Sequence, residues 1–207
     1  MEMINKKFKA ITPHGSLLYE GFILKSRVCN LKGYMDYTKF SELCKSGCVN
    51  YGKKWSCPPY SPLFEEFTKG YSYISICLLH IKLQQFSYIK NDYLKVKAAN
   101  SILKSRIDKT LRKLKRPDNH YISTGSCRMC KPCKCKLDKP CAHNDIKTYS
   151  FEALGVDVSN MVKDLFDFKL LWYRKKNVPE YTSVVAGLLS NEIIDENIIF
   201  EILKKQN

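Results

Sequence analysis

The chain has 207 residues, 44% of them hydrophobic, and ten cysteines, which suits one folded domain over 1–207 and excludes a disordered tail. Its formal net charge of +15 predicts an anionic partner. The start shows no secretory signal, and the longest apolar run, at 74–81, is far shorter than the about 20 residues of a membrane span. We therefore expect a cytoplasmic protein without membrane contact, in a compartment that keeps thiols reduced and disfavours disulfides.

The first third of the chain contains sequence patterns for strands, a short helix and a cysteine-rich loop. Residues 16–26 fit a strand or a helix, and the sequence leaves that choice open. The Gly, Pro and Cys content of 43–60 predicts a loop, the first cysteine loop. Ser61 then predicts the N-cap of a short helix that ends by Gly70. Aromatic and β-branched residues at 71–83 predict a buried strand.

The strongest helical pattern in the chain lies at 91–115. Pro117 ends this helix, and a strand at 119–124 leads into the second cysteine loop at 125–141. The apolar stripe recurs at helical spacing and consists of Leu94, Ala98, Leu103, Ile107, Leu111 and Leu114.

The last third continues the alternation of strands and helices. Ser150 predicts the cap of a short turn that Gly155 ends, and Glu152 and Asp157 are interpreted as capping and packing residues. Further predictions are a helix at 159–166, strands at 168–173 and 181–189, and an amphipathic helix at 195–205. The order of elements predicts an α/β (or α+β) fold, a mixed sheet with flanking helices and two cysteine-rich metal-binding loops.

The second cysteine loop has the thiol spacing of an iron–sulfur site. Cys127, Cys130 and Cys133 follow a C-x2-C-x2-C pattern, and Cys141 comes after seven intervening residues. The first three thiols have the spacing of bacterial ferredoxin-type [4Fe-4S] sites, although the gap before the fourth is longer than in that pattern and no proline follows Cys141. A zinc ribbon instead needs two separated C-x2-C pairs. The pattern favours a [4Fe-4S] cluster, with zinc as the alternative. Cys135 exceeds a four-thiol count and is either a free thiol or a ligand of the other site.

The first cysteine loop offers three local thiols. Cys44, Cys48 and Cys57 form a C-x3-C-x8-C pattern that closes with two prolines, as the ferredoxin pattern also ends in proline. A second [4Fe-4S] cluster here would take its fourth ligand from Cys29 or Cys135, or leave one iron open to a substrate. The sequence leaves these three alternatives open, and with them the question whether the protein is an enzyme.

Basic residues accompany the second loop and the long helix. Five basic residues lie in the second loop: Arg128, Lys131, Lys134, Lys136 and Lys139. They would either offset the charge of a bound cluster and raise its reduction potential, or form a solvated basic loop. Residues 90–116 hold ten lysines and arginines against two aspartates. This run is either the exposed side of a packed helix or a docking surface for an acidic redox partner such as a ferredoxin or flavodoxin. Nucleic acid is less favoured, because Tyr93 is the run's one aromatic.

Both cysteine loops resemble the predicted metal-binding proteins of unknown function, a family of bacteria and archaea. The resemblance is carried by CKSGCVNYGKKWSCPPYSP, GSCRMCKPC with a later PC, and YSFEALGVDV, and covers about residues 40–190. One departure is Asn144, where the family leads us to expect proline. The resemblance implies metal binding without naming a reaction, with ligands at Cys44, Cys48, Cys57, Cys127, Cys130, Cys133 and Cys141.

Taken together, these features predict an iron–sulfur redox protein with one or two [4Fe-4S] clusters that acts in electron transfer. One alternative is an iron–sulfur enzyme with an open iron at the three-cysteine site. The other is a zinc-stabilised protein that binds nucleic acid through its basic helix.

Overall fold

The structure is a computed structural model that describes residues 3–174 and 177–206. Its sheet has five strands in the order β1-β2-β3-β5-β4: β1 (Met3–Thr12), β2 (Gly15–Arg27), β3 (Tyr73–Lys82), β4 (Asn119–Ile122) and β5 (Tyr181–Ser190). The α-helices are α1 (Tyr37–Gly47), α2 (Phe64–Phe67), α3 (Asp92–Leu114), α4 (Val158–Phe166) and α5 (Glu196–Lys204). The predicted class is confirmed, although every described pairing is antiparallel, where a mixed sheet was expected.

The N-terminal hairpin resolves the choice that residues 16–26 left open. These residues form most of β2, which pairs with β1 on one side and with β3 on the other. Alternate side chains of β2, such as Leu17 and Tyr19, are buried, as a strand with one covered face requires. Gly15 makes the turn between β1 and β2 with a φ of 110°, a conformation that favours glycine.

The middle of the sheet contains a crossover. β3 and β4 both run antiparallel to β5, so they run parallel to each other, and α3 connects them. β5 then inserts between them. Because β3 is covered on both faces, its sequence is almost continuously apolar, which is the feature that predicted a buried strand at 71–83.

Two hydrophobic cores lie on opposite faces of the sheet. On one face α3 and α5 pack through residues such as Leu103, Ile107 and Phe200. On the other face α4 packs with Phe64 and Phe151. The chain segments that hold the cysteines adjoin this second layer, since α1 contacts the short 3-10 turn Glu152–Leu154. No helix in the described ranges is long and apolar enough to cross a membrane.

Two predictions for the second half were wrong in detail. Residues 168–173 form a loop instead of a strand: β4 pairs only with Gly187–Ser190 of β5, and this loop does not pair with the rest of β5. The loop packs onto the sheet through Phe168, whose ring centroid lies 5.1 Å from that of His80 and 5.2 Å from that of Tyr181. The predicted stripe of α3 also begins differently, since Leu94 is 50% exposed and Val96 is buried in its place.

Two predictions around the first cysteine loop were also wrong. α1 extends to Gly47, so Cys44 lies on a helix and the loop starts later than residue 43. Ser61 does not cap α2, whose N-cap position is Leu63. The Ser61 hydroxyl instead donates a hydrogen bond to the carbonyl of Ala153 at 2.6 Å, because a contact across the fold competes with the local cap.

Candidate metal centre

The first two cysteines are placed by α1. The carboxylate of Asp36 accepts a hydrogen bond from the Lys39 amide at 3.0 Å and starts the helix. At the other end, the amide of Cys48 donates to the carbonyl of Cys44 at 2.9 Å, so the helical turn is complete between the two cysteines. Residues four apart on a helix lie on the same face, so both thiols face one side of the helix end.

The third cysteine of the first loop, Cys57, lies close to Cys44 and Cys48. Cys57 is only 7% exposed. Burial, together with the neighbouring thiols of Cys48 and Cys44, raises the pKa of its thiol to about 11. Burial also raises the pKa of Cys44, followed by the influence of Cys48 and then of Glu152. The structure thus gathers the three predicted ligands of the first site in one neighbourhood, where a bound cation would favour their thiolate forms.

Hydrogen bonds of residues 54–56 join the two cysteine loops (residues 43–60 and 125–141). The ammonium of Lys54 donates to the Ser126 hydroxyl at 2.9 Å and to the Cys127 carbonyl at 3.1 Å. The Ser56 hydroxyl accepts from the Cys127 amide at 3.0 Å. The indole N–H of Trp55 donates to the carbonyl of Lys139 at 2.9 Å. We call the joined loops the two-loop unit.

Cys135 lies between the loops, as one of its two predicted roles requires. It is 6% exposed, and its thiol contacts the Gly52 carbonyl of the first loop at 3.8 Å. Burial raises the pKa of this thiol, and Cys133 and Asp138 raise it further. Cys29, the other candidate for a fourth ligand, is exposed in the 3-10 turn Val28–Tyr34 and contacts Asn30. Of the two candidates, the structure brings Cys135 to the first loop.

The remaining thiols of the second loop, those of Cys127, Cys130, Cys133 and Cys141, are all partly exposed. Within 3–174 and 177–206, no three Cys, His, Asp or Glu side chains adopt an arrangement that would hold a metal ion. The loops therefore bring the thiols into one region without placing them in coordinating positions. All ten cysteines are free, and a set of thiolates suits iron–sulfur clusters or zinc, so the donor chemistry fits the predicted groups.

The basic helix α3 runs beside the second loop. Lys104, Asp108 and Arg112 follow one another at intervals of four residues on the side that faces it. Burial raises the pKa of the Asp108 carboxyl, and the Thr124 amide and the guanidinium of Arg128 offset part of this effect. Arg112 lies close to Tyr121 and to Cys127. The cations of this helix are therefore next to the candidate centre, which the sequence did not show.

The stretch YSFEALGVDV holds α1 in place. The Asp36 amide donates to the Gly155 carbonyl at 2.8 Å. Gly155 has a φ of 87°, and a Cβ atom on it would lie 2.7 Å from the Cα of Tyr37. Asp157 accepts from the Asn160 amide at 3.0 Å, which confirms its predicted capping role, and its carboxylate pairs with Lys39 at 3.1 Å.

Comparison with known families agrees with this arrangement of cysteines. The model of a family described as "Predicted metal-binding protein (DUF2284)" matches residues 32–189, well over half of the chain. The chain belongs to this family. The matched range contains both cysteine loops and the stretch that holds α1, so the predicted resemblance is confirmed. Searches of curated proteins and of solved structures found no match.

Proposed function

We propose that this family member is a cytoplasmic iron–sulfur protein that transfers electrons, with one [4Fe-4S] cluster in each cysteine loop. The observation that carries the proposal is the two-loop unit, in which the gathered thiols of Cys44, Cys48 and Cys57 adjoin a C-x2-C-x2-C loop. When bound, such clusters supply one-electron redox chemistry. The second cluster would be held by Cys127, Cys130, Cys133 and Cys141.

The surroundings of Cys57 suit a protected redox centre. The Trp55 and Tyr60 rings, two and three residues from Cys57 in the chain, pack with their centroids 4.8 Å apart, and Cys57 itself is buried. Lys54 lowers the pKa of the Cys57 thiol, against the dominant effect of burial, so it favours the thiolate. Hydrogen bonds and charges of this kind tune the potential of a bound cluster.

A short connection links the proposed ligands of the two sites. Cys57 is bonded to Ser56, and the Ser56 hydroxyl accepts a hydrogen bond from the Cys127 amide at 3.0 Å. One covalent segment and one hydrogen bond therefore separate a ligand of the first site from a ligand of the second. This proximity supports a carrier that holds two centres side by side.

We also propose that an acidic redox protein docks on α3. The helix borders the second loop, and its exposed cations include Lys109, Arg112 and Lys113. Opposite charge steers weak encounters between redox proteins and increases their association rate. A nucleic acid would need stacking aromatics, and Tyr93 is the one aromatic that α3 carries.

The test is the iron, zinc and acid-labile sulfide content of protein purified without oxygen, with its visible spectrum. We expect about eight irons and about eight sulfides per chain, with absorbance that dithionite bleaches. Cys57→Ser and Cys130→Ser should each remove about half of the iron, because they act on different sites. Cys77→Ala is the matched control, since Cys77 is a core thiol, 1% exposed, on β3. Zinc without sulfide would overturn the proposal.

A further inference from the structure

A cavity of about 520 Å³ lies between α3, β5 and the loop at 168–173. Thr124 and Arg128 reach it from the start of the second cysteine loop, and Glu152 reaches it from the turn before α4. The volume is within the range of sites that bind small molecules. None of the roles derived above for the cysteine loops uses this cavity.

Positive charge dominates the described lining of the cavity. Lys97, Lys104 and Arg128 contribute three cations, against the single carboxylate of Glu152. Neither Lys104 nor Arg128 forms an ion pair with a described residue. Burial lowers the pKa of Lys104, and the nearby charge of Arg128 lowers it further. The carboxyl of Asp108, on α3 outside the lining, offsets part of the charge of Lys104 and Arg128, and Glu152 does the same for Lys104. An anion bound in the cavity next to the two cations would stabilise this partly buried positive charge further.

The rest of the lining offers flat rings and a hydrogen-bond donor. Tyr93 of α3 and Tyr173 of the loop pack with ring centroids 5.8 Å apart. Trp172 also lines the cavity and is 63% exposed, so its ring is accessible to a ligand. The oxygen of the Asn100 amide accepts from the Thr182 hydroxyl at 2.9 Å, and its N–H groups donate to no residue within 3–174 and 177–206, so they can donate to a ligand.

We propose that this cavity binds a small organic anion, with its acidic group against Lys104 and Arg128 and a planar apolar part against Trp172 and Tyr173. A carboxylate and a phosphate share this chemistry, since both accept hydrogen bonds from ammonium and guanidinium groups. The proposal goes beyond electron transfer and holds whichever metal the cysteine loops carry. It also gives a role to Arg128, the chain neighbour of Cys127.

The test is an isothermal titration of the metal-loaded protein with 1-naphthoate, 1-naphthyl phosphate and the neutral 1-naphthamide. We expect at least one of the two anions to bind about tenfold more tightly than the amide, the effect of one charge-assisted hydrogen bond. The tighter of the two anions identifies the acidic group. Similar affinities for all three compounds, or no binding to the folded protein, would overturn the proposal.

Substitutions on one helix locate the binding. Lys104→Met should weaken anion binding about tenfold. Lys109→Met, an exposed lysine of the same helix outside the cavity, should leave it unchanged. Trp172→Ala, at an exposed position that does not endanger folding, should weaken the anions and the amide alike. If both Lys104→Met and Trp172→Ala bind the anion with unchanged affinity, the anion binds elsewhere and the inference is wrong.

Discussion

Replacing Gly155 by alanine should displace α1 and with it two proposed ligands of the first site, Cys44 and Cys48. The added Cβ would lie 2.7 Å from the Cα and 2.9 Å from the Cβ of Tyr37, so a backbone atom at the start of α1 has to move. The φ of 87° adds the strain of a left-handed residue, about 1 kcal/mol. Overpacking typically adds about 1 to 3 kcal/mol, so we expect a total loss of about 2 to 4 kcal/mol.

Two other glycines separate these contributions. Gly70 has a φ of 92° but nothing within 4 Å of the added Cβ, so Gly70→Ala measures the backbone strain alone. Gly33 has neither a left-handed φ nor a close neighbour, so Gly33→Ala should change stability little. Urea unfolding without oxygen would give the free energy of each variant. A domain with a typical stability of about 5 to 15 kcal/mol should still fold with the Gly155 change.

Metal content connects this stability effect to the site. Because Cys44 and Cys48 lie at the far end of the displaced helix, Gly155→Ala should lower iron at the first site more than at the second. Gly70→Ala should leave the iron content of both sites unchanged. If Gly155→Ala proves no less stable than Gly70→Ala, the close packing of α1 on Gly155 does not exist as described, and the argument for how the first site is positioned fails.

Three further predictions follow from other contacts. Asp157→Ala should cost about 1 to 2 kcal/mol in urea unfolding, because it removes the cap of α4 and the pair with Lys39. Burial raises the pKa of Asp157, but hydrogen bonds from Asn160 and Lys39 outweigh burial and lower this pKa overall. The carboxylate therefore stabilises the fold fully above its ordinary pKa of about 4, and this stabilisation is lost as the pH falls through the lower folded pKa. Cys135→Ser should lower the iron content, whereas Cys29→Ser should not. Lys109→Glu should slow electron transfer to an acidic ferredoxin in stopped-flow experiments at low salt.

Each of these predictions has its own control. Asp118→Ala, at an exposed position without a left-handed φ that caps no helix start, should leave stability nearly unchanged, and an equal loss in both aspartate variants would contradict the capping argument. If Cys29→Ser rather than Cys135→Ser lowers iron, the contact of Cys135 with Gly52 is not that of a ligand. The effect of Lys109→Glu should vanish at about 1 M salt, where charges are screened beyond about 3 Å. An effect that persists there is not electrostatic steering.

The regular elements with strong local patterns were predictable. The predicted boundaries of α3, β3, β5 and α5 agree with the structure to within two residues, because apolar periodicity and capping residues such as Asn91 act within one segment. The failures had non-local causes. The aromatic run at 168–173 has the composition of a strand, yet it lies on the face of the sheet, because the Phe168 ring packs against His80 and Tyr181 from other parts of the chain.

The sequence by itself determined the chemistry of this protein: the thiol spacings, the basic helix and the family to which they belong. These are properties of neighbouring residues in the chain, so no folded structure is needed to recognise them. Only the tertiary structure decided that Lys54 and Ser56 join the two cysteine loops, and that Cys135 rather than Cys29 meets the first. It alone formed the cavity beside Arg128. The contacts between the two loops join residues 71 to 84 positions apart. The packing of helices on the sheet, which no local pattern records, brings such residues together.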